Sequence, residues 1–380
     1  MIIDMEYPKV KRNVLLNPGP ATTSDAVKYA QVIPDICPRE KEFGDIMREL
    51  GDDLVRIAHG SLDEYTAVLF CGSGTICIDV CVNSLVPAGK KILILNNGAY
   101  SSRAAEVCRY YHIDHVEISM PITEPIDLVK AEEIIAADDD IAVVYCCHHE
   151  TGTGILNPIR ELGALAHRYK KVMVADTIAS YAMIPIDLNQ DNVDFIMSSA
   201  QKGLRSVTGL SYVIGKTRLI EASKDYPTRS YYTNLYMQYQ FIKEKGEMHF
   251  TPPVQAIYAT RQAIKEYWAD GEQVRWENHQ RLWEEICNGL DALGLETIIP
   301  KEYQSKLVVS VKYPEDPKWD FVKVHDYCYE RGFTIYPGKV SALPTFRLCT
   351  LGAIFPQDIK DFFAVLADAL RNCGLSVPLR

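Results

Sequence analysis

Two residues of opposite charge follow separate apolar segments of the chain. Asp176 ends the apolar segment 171–176. Lys202 follows the apolar segment 193–197 and lies 26 residues after Asp176. This distance accommodates a strand, a crossover and a return to the same edge of a parallel sheet. A lysine there can form an imine with the aldehyde of pyridoxal phosphate, while an aspartate keeps the pyridine nitrogen protonated. The pair therefore predicts a pyridoxal phosphate site.

The segments that must position this pair alternate between short apolar stretches and amphipathic helical ones. The short stretches are apolar at successive residues, which is typical of strands buried on both faces of a parallel sheet. The chain is therefore predicted to have an α/β fold with a mostly parallel central sheet. The predicted strands are 67–70, 91–95, 141–145, 172–175, 195–197 and 210–214.

The pattern changes in the last third of the chain. Residues 258–293 are predicted to be helical, with four buried positions at Ile264, Trp268, Trp283 and Ile286. Three strand-like segments and a helix follow, at 306–313, 333–336, 345–350 and 358–370. We therefore expect a large domain of residues 16–264 and a smaller α+β domain of residues 1–15 and 265–380.

Composition narrows the class of protein. The formal charge of −10 disfavours nucleic acid and anionic membranes as partners. The sequence contains no uninterrupted apolar stretch of about 20 residues, so no membrane span is predicted. Residues 1–6 do not resemble a signal peptide. Most of the 11 cysteines lie in apolar segments, where they are expected to be buried. This pattern favours reduced thiols rather than disulfides. We therefore expect a cytoplasmic enzyme that acts on small molecules.

Two turns after predicted strands are candidates for contacting a cofactor. Residues 71–75 include Ser73, Gly74 and Thr75 and precede a helical segment, so their amide and hydroxyl groups could hold a phosphate. An ordinary glycine-rich turn is an equally good interpretation. Tyr100 follows the strand 91–95 and could stack on a planar ring. With 22 tyrosines in the chain, simple packing is the default for Tyr100 alone.

Two further segments carry polar groups. Residues 148–154 contain two histidines, a glutamate and two threonines. A metal site is disfavoured because adjacent strand residues point to opposite faces, whereas a loop that donates hydroxyl groups fits. Arg347 follows a predicted turn and could bind a carboxylate with both arms of its guanidinium group. A lone arginine in a strand is more often part of an ion pair.

The motifs extend over nearly the whole chain, at 15–24, 72–74, 97–100, 150–159, 162–169, 198–202, 250–253, 335–341 and 346–347. Together they resemble fold-type I pyridoxal phosphate enzymes of the class V aminotransferase group. More narrowly, they resemble the 2-aminoethylphosphonate–pyruvate transaminases. The segments 157–169 and 336–341 are the specific ones, whereas the glycine motif alone is not.

The resemblance implies roles for individual residues. Lys202 would bind the cofactor as an imine and carry the proton during transfer, and Asp176 would hold the pyridinium nitrogen. Tyr100 would stack on the ring, and Thr151 would bind its 3-oxygen. The cofactor phosphate would be held by Ser73, Gly74, Thr75 and Gln201.

The resemblance also implies a homodimer with shared sites, since Thr251 would reach the phosphate bound by the neighbouring subunit. Arg347 would bind the acidic group of the amino donor and of the 2-oxo acid acceptor. Asn17 and Gly19, in the loop 17–21, are expected to line the same substrate pocket. No metal is implied.

Differences from the family pattern leave the substrate open. Gln201 and Gly203 stand where typical members have Asn and Cys, and Gln before the lysine is more similar to alanine–glyoxylate transaminases. Arg39 is either an extra anion contact or a surface residue. A serine–glyoxylate transaminase and a protein without cofactor also stay as alternatives. A cysteine desulfurase is disfavoured because no cysteine occurs in residues 332–346.

We predict that Lys202→Ala lowers the rate of amino transfer by orders of magnitude, because nucleophile and proton carrier are lost together. The steady-state rate of product formation measures this. A near-normal rate in the variant would contradict the assignment of Lys202.

Overall fold

The computed structural model describes residues 9–338 and 343–379. Residues 1–8 of the expected small domain and residues 339–341 of the segment 335–341 lie outside the described part. Within it the strands are β1 (Val14–Leu15), β2 (Tyr65–Gly72), β3 (Lys91–Asn96), β4 (His115–Ser119), β5 (Ile141–Cys147), β6 (His149–Glu150), β7 (Ile155–Leu156), β8 (Val172–Asp176), β9 (Phe195–Ser199), β10 (Gly209–Lys216), β11 (Val308–Lys312), β12 (Phe333–Thr334), β13 (Tyr336–Pro337) and β14 (Thr345–Cys349).

The α-helices cover the central sheet and build most of the C-terminal third. They are α1 (Asp25–Tyr29), α2 (Lys41–Ile57), α3 (Thr75–Leu85), α4 (Ala99–Tyr110), α5 (Leu128–Ala137), α6 (Ile159–Arg168), α7 (Thr217–Ala222), α8 (Leu235–Lys245), α9 (Val254–Asp270), α10 (Glu272–Leu293), α11 (Phe321–Glu330) and α12 (Pro356–Asn372). The predicted helix 258–293 is thus two helices. They are separated at Gly271, whose φ of 83° lies in the left-handed region.

The central sheet has seven strands in the order β2-β10-β9-β8-β5-β3-β4. The pairs from β9 to β4 are parallel, which confirms the mostly parallel sheet. Strand β10 is instead antiparallel to both β9 and β2. The connection 200–208 from β9 to β10 is too short for the crossover that a parallel pair needs, so the chain turns back directly. Lys202 lies in this connection.

Apolar residues cover both faces of the sheet, as the successive apolar residues of the strands predicted. Leu93 and Leu95 of β3 pack in one cluster with helices α2 and α6. Ile92 and Ile94 pack in another cluster with α3 and α4. Because side chains alternate along a strand, one short segment supplies both layers.

The C-terminal third forms its own sheet, in the order β11-β14-β13, packed on α10 and α12. Val14 and Leu16 belong to the same apolar cluster, and β1 pairs with β12. These contacts agree with the expected small domain, whose boundaries stay a prediction. The prediction for Trp268 was wrong, since its side chain is exposed on α9. Over residues 9–338 and 343–379, no helix combines the length and apolar character that a membrane span requires.

Helix α6 packs closely on the loop before β9. A methyl group added at Gly163 would lie 2.4 Å from the carbonyl oxygen of Asp191 and 2.6 Å from that of Asn192. We therefore expect Gly163→Ala to lower the free energy of unfolding by about 1–3 kcal/mol, because α6 must move away from the backbone. Urea unfolding measures the change.

Gly51→Ala is the matched control, because Gly51 also lies within a helix, α2, but its nearest neighbour would be 3.9 Å away. It should be neutral or stabilising by up to about 1 kcal/mol, since alanine favours helix. Equal effects of the two substitutions would show that α6 tolerates the added methyl group.

Candidate active site

Lys202 is buried in the β9–β10 connection, with 9% of its surface exposed. Its Nζ donates a hydrogen bond to the carbonyl oxygen of Pro18. The loop 17–21 approaches the lysine stem closely at Gly19, where an added Cβ would lie 2.7 Å from Lys202 Cε. Burial lowers the pKa of Lys202, because the ammonium form loses its hydration. More of the amine is therefore neutral and nucleophilic than on an exposed lysine.

Asp176 ends strand β8 and is 3% exposed. Its Oδ2 accepts a hydrogen bond from the hydroxyl of Tyr145 at 3.1 Å, and its Oδ1 accepts one from the amide of Ile178 at 3.0 Å. Burial raises the pKa of Asp176, while these two hydrogen bonds and the charge of Lys202 oppose the rise. The sheet edge therefore holds a carboxylate that is shielded from water and within electrostatic reach of Lys202.

The turn between β2 and α3 has the properties of an anion site. Helix α3 begins at Thr75 without a side chain that caps its amides, and Ser73 and Thr75 are exposed. An added Cβ at Gly74 would lie 2.9 Å from Ile178 and 3.1 Å from the hydroxyl of Ser199. A larger side chain at position 74 would fill the turn. Because the residue is glycine, the backbone amides there stay accessible to a phosphate.

Tyr100 lies in the first turn of α4, next to this turn. The guanidinium carbon of Arg103 is 5.1 Å from the centre of the Tyr100 ring, and its Nη1 donates to Thr75 Oγ1 at 3.1 Å. The carboxylate of Glu150 accepts hydrogen bonds from the amides of Tyr100 and Ser101. Burial raises the pKa of Glu150 to about 7, and the amide hydrogen bonds limit the rise.

Arg347 is 1% exposed on strand β14. Its Nε and Nη2 donate to the carbonyl oxygen of Pro337 at 3.2 and 2.9 Å, and its Nη1 donates to that of Thr151 at 3.2 Å. In the described part of the chain, no carboxylate lies within ion-pair distance of Arg347, so it is not the ion-pair arginine that a strand position favours. Two carbonyl groups fix its orientation and leave its charge uncompensated.

The other predicted residues lie at different depths. Gln201 and Asn17 are buried, and the carbonyl of Gln201 accepts the amide of Ala21, so the loop 17–21 is held against the lysine connection. The Asn17 side chain donates to the Pro20 carbonyl at 3.2 Å. Thr251 is exposed in the loop before α9, so its role toward a second subunit stays a prediction.

Arg39 and the two histidines have structural contacts. Arg39 pairs with Glu247 at 2.6 Å. His148 bonds the hydroxyl of Ser180 at 2.9 Å, whereas His149 bonds the carbonyl of Ala179 at 2.7 Å. The neighbouring histidines therefore contact different groups.

Two buried polar atoms next to Lys202 in the sequence lack partners among residues 9–338 and 343–379. They are the hydroxyl of Ser199 and the side-chain oxygen of Gln201. Buried polar groups are rarely left unpaired, so a ligand with polar atoms fits here. Together with the open turn at Gly74 and the buried Asp176, these atoms match what pyridoxal phosphate needs.

The sequence interpretation missed three residues. Tyr145 bonds Asp176, Arg103 bonds Thr75, and Glu150 bonds the start of α4. Arg103 has a sequence signal, because it lies three residues after Tyr100 and therefore on the same helix face. Tyr145 and Glu150 lie within apolar or loop segments, where their partners depend on the fold.

The chain matches a known protein family over most of its length. The model of the family "Aminotransferase class-V" matches residues 26–355. The chain is a class-V aminotransferase. It is 32% identical over 365 residues to a 2-aminoethylphosphonate–pyruvate transaminase of Paraburkholderia phymatum, covering 96% of this chain and 98% of that protein.

Two further relatives extend the comparison. A bifunctional phosphonoacetaldehyde hydrolase/aminoethylphosphonate transaminase of Clostridioides difficile is 32% identical over 349 residues, which cover 91% of this chain. This aminotransferase chain spans 55% of the length of that protein. The crystal structure of an alanine–glyoxylate aminotransferase from Nostoc sp. superimposes with a TM-score of 0.88 at 24% identity, covering 97% and 98% of the two chains. That similarity confirms the fold-type I architecture.

The two buried histidines generate a pH prediction. Burial lowers the pKa of His148 to about 3 and that of His149 to about 4, from an ordinary value of 6.5. Below 6.5 the unfolded chain therefore binds protons that the folded chain does not. Their contribution to stability is complete above pH 6.5 and is lost as the pH falls toward 4 for His149 and toward 3 for His148.

We expect NMR signals of both imidazole rings to keep their neutral-ring positions from about pH 8 to about pH 5. Over the lower part of this range, the free energy of unfolding should fall. Titration of either ring near pH 6.5 would contradict the prediction that burial keeps the ring neutral.

Proposed function

We propose that this aminotransferase moves an amino group between 2-aminoethylphosphonate and pyruvate, giving phosphonoacetaldehyde and L-alanine, with pyridoxal phosphate as cofactor. The similarity to curated transaminases of this type over nearly the full chain supports the proposal. The structural observation that carries the proposal is the buried charge of Arg347, which no carboxylate in the described part of the chain compensates and which acts electrostatically on Lys202.

Both substrates present an anionic group, a phosphonate in one and a carboxylate in the other. A single pocket must bind each in turn, and a planar guanidinium group can bind either with two hydrogen bonds. The positive charge of Arg347 contributes to lowering the pKa of Lys202, because it disfavours the ammonium form. With Asn17 and Gly19 in the adjoining loop, Arg347 would hold the substrate tail while its amino or keto carbon faces Lys202.

Several residues would hold the cofactor. Ser73, Gly74, Thr75 and Gln201 would bind its phosphate, Tyr100 would cover its ring, and Thr151 would bind its 3-oxygen. When bound, pyridoxal phosphate supplies an aldehyde carbon and a ring that accepts electrons from the substrate. Asp176, whose carboxylate is fixed by Tyr145, would hold a proton at the pyridine nitrogen.

Lys202 would perform the proton transfer itself. Its neutral Nζ would accept a proton from the substrate carbon that bears the amino group, hold it, and release it again as the amino group is transferred. The low exposure of Lys202 keeps water from competing for this proton. Lys202 thus has two roles, as the group that binds the cofactor covalently and as the base.

The assembly and location are also proposed. Thr251 is exposed in one chain, as expected for a residue that completes the phosphate site of a second copy, so we propose a homodimer with shared sites. A monomeric mass in analytical ultracentrifugation of active enzyme would contradict this. The 11 free cysteines agree with a cytoplasmic location. Fractionation of the source cells tests that location.

An alanine–glyoxylate transaminase is the second candidate. The observation that favours it is Gln201, which precedes Lys202 as in that group of enzymes. Both reactions need the same cofactor residues, so only the amino donor and acceptor separate them.

The test measures amino transfer with purified holoenzyme. Adding 2-aminoethylphosphonate alone should remove the visible absorbance of the cofactor bound to Lys202, and adding pyruvate should restore it as alanine forms. We expect kcat/KM for this pair to exceed that for alanine with glyoxylate by about tenfold or more, since the pocket must discriminate the anionic tails.

Turnover of alanine and glyoxylate without turnover of 2-aminoethylphosphonate and pyruvate would overturn the first candidate. A protein that stays colourless when pyridoxal phosphate is added would overturn both enzyme functions. Lys202→Ala serves as the control for spontaneous transfer.

A further inference from the structure

Glu150 is a fully buried carboxylate that the proposed reaction does not use. Its two oxygen atoms lie beneath the first turn of α4, with Oε1 and Oε2 both 3.2 Å from the amide nitrogen of Tyr100. Oε2 also accepts the amide and the hydroxyl of Ser101 at 3.3 Å. In the described part of the chain, no lysine, arginine or histidine forms an ion pair with Glu150. Its partners are the amides and hydroxyl of this helix end, together with the amide of Gly152, which donates to Oε1 at 3.5 Å.

Gly98 makes this contact possible. An added Cβ at Gly98 would lie 2.2 Å from Glu150 Cγ and 2.3 Å from Cδ. The backbone of Gly98 is extended, so the conformation itself does not require glycine. The missing side chain instead provides the space that the carboxylate occupies.

The helix end held by Glu150 carries two groups of the proposed cofactor site. Tyr100 is the predicted stacking residue, and Arg103 connects the same turn to Thr75 in the phosphate turn. Glu150 also precedes Thr151, whose carbonyl oxygen receives Nη1 of Arg347. One short segment therefore contacts the helix that would cover the ring and the arginine that would bind the substrate.

We propose that Glu150 is a positioning residue, whose carboxylate holds the N-terminal turn of α4 so that the Tyr100 ring lies over the cofactor and Arg103 reaches the phosphate turn. The proposal rests on the proposed cofactor site, because the stacking role of Tyr100 belongs to it. A carboxylate at a helix N-terminus is doubly favourable, since it accepts free amides and faces the positive end of the helix dipole.

The first test uses the protein without cofactor and measures hydrogen exchange at the amides of Tyr100 and Ser101. Glu150→Ala leaves these amides without a buried acceptor, so we expect exchange about tenfold faster or more. Glu150→Gln keeps one oxygen as acceptor and should restore protection to within about threefold. Unchanged protection in Glu150→Ala would overturn the proposal.

The second test measures the dissociation constant of pyridoxal phosphate by titration of the apoprotein. Glu150→Ala should raise it about tenfold or more, and Glu150→Gln should bind nearly as wild type. An unchanged dissociation constant with faster amide exchange would also overturn the proposal, because the helix end would then not position the ring.

Gly98→Ala tests the same contact if Glu150→Ala fails to fold, because it displaces the carboxylate from the helix side. Gly152→Ala is the matched control, since its added Cβ would meet the same carboxylate at an ordinary 3.5 Å. We expect weaker cofactor binding in the first variant and wild-type binding in the second. Equal binding by both would overturn the proposal.

Failure of the proposed function can be distinguished from failure of the proposed role of Glu150. A wild-type protein that binds no pyridoxal phosphate would overturn that function. The amide exchange would still decide whether Glu150 holds the helix.

Discussion

The structure depends on keeping a carboxylate and an amine out of water at one edge of the central sheet. A bare buried charge is costly, so each must be stabilised by polar partners from several elements. Asp176 receives a tyrosine hydroxyl and a backbone amide, and Lys202 bonds the carbonyl of Pro18. Strand order, the loop 17–21 and the short β9–β10 connection all serve this purpose.

The same constraint explains why polar groups cluster around the pair. Burial moves the pKa of Asp176 up and that of Lys202 down, so both are drawn toward their neutral forms. Their mutual attraction opposes both shifts. Arg347 acts against this attraction at Lys202, since its positive charge disfavours the ammonium form. The site thus holds the lysine where it can react and leaves a guanidinium charge for a substrate anion.

The fold was largely predictable, and the site only partly so. The strands around Asp176 and Lys202 are apolar at successive residues, a local signal that survives folding, and the family motifs identified the cofactor. The depth of Trp268 depends on what packs nearby, whereas the antiparallel direction of β10 follows from the short connection 200–208. Likewise, Glu150 acquires its role only when α4 folds over it. The contact between Glu150 and the start of α4, unlike the Asp176–Lys202 pair, leaves no trace in the spacing of residues along the chain.

The β9–β10 hairpin has a consequence for how such chains can change over evolution. Strand pairing is continuous on both sides of the connection, from Ser199 opposite Ser211 outward. An inserted or deleted residue between 200 and 208 would either move the lysine away from Asp176 or shift strand pairing by one, which turns every side chain to the other face. The strand pairing on both sides therefore constrains the length of this connection. A side chain at Gly203 is excluded as well, because its Cβ would lie against the backbone carbonyl oxygen of Tyr181.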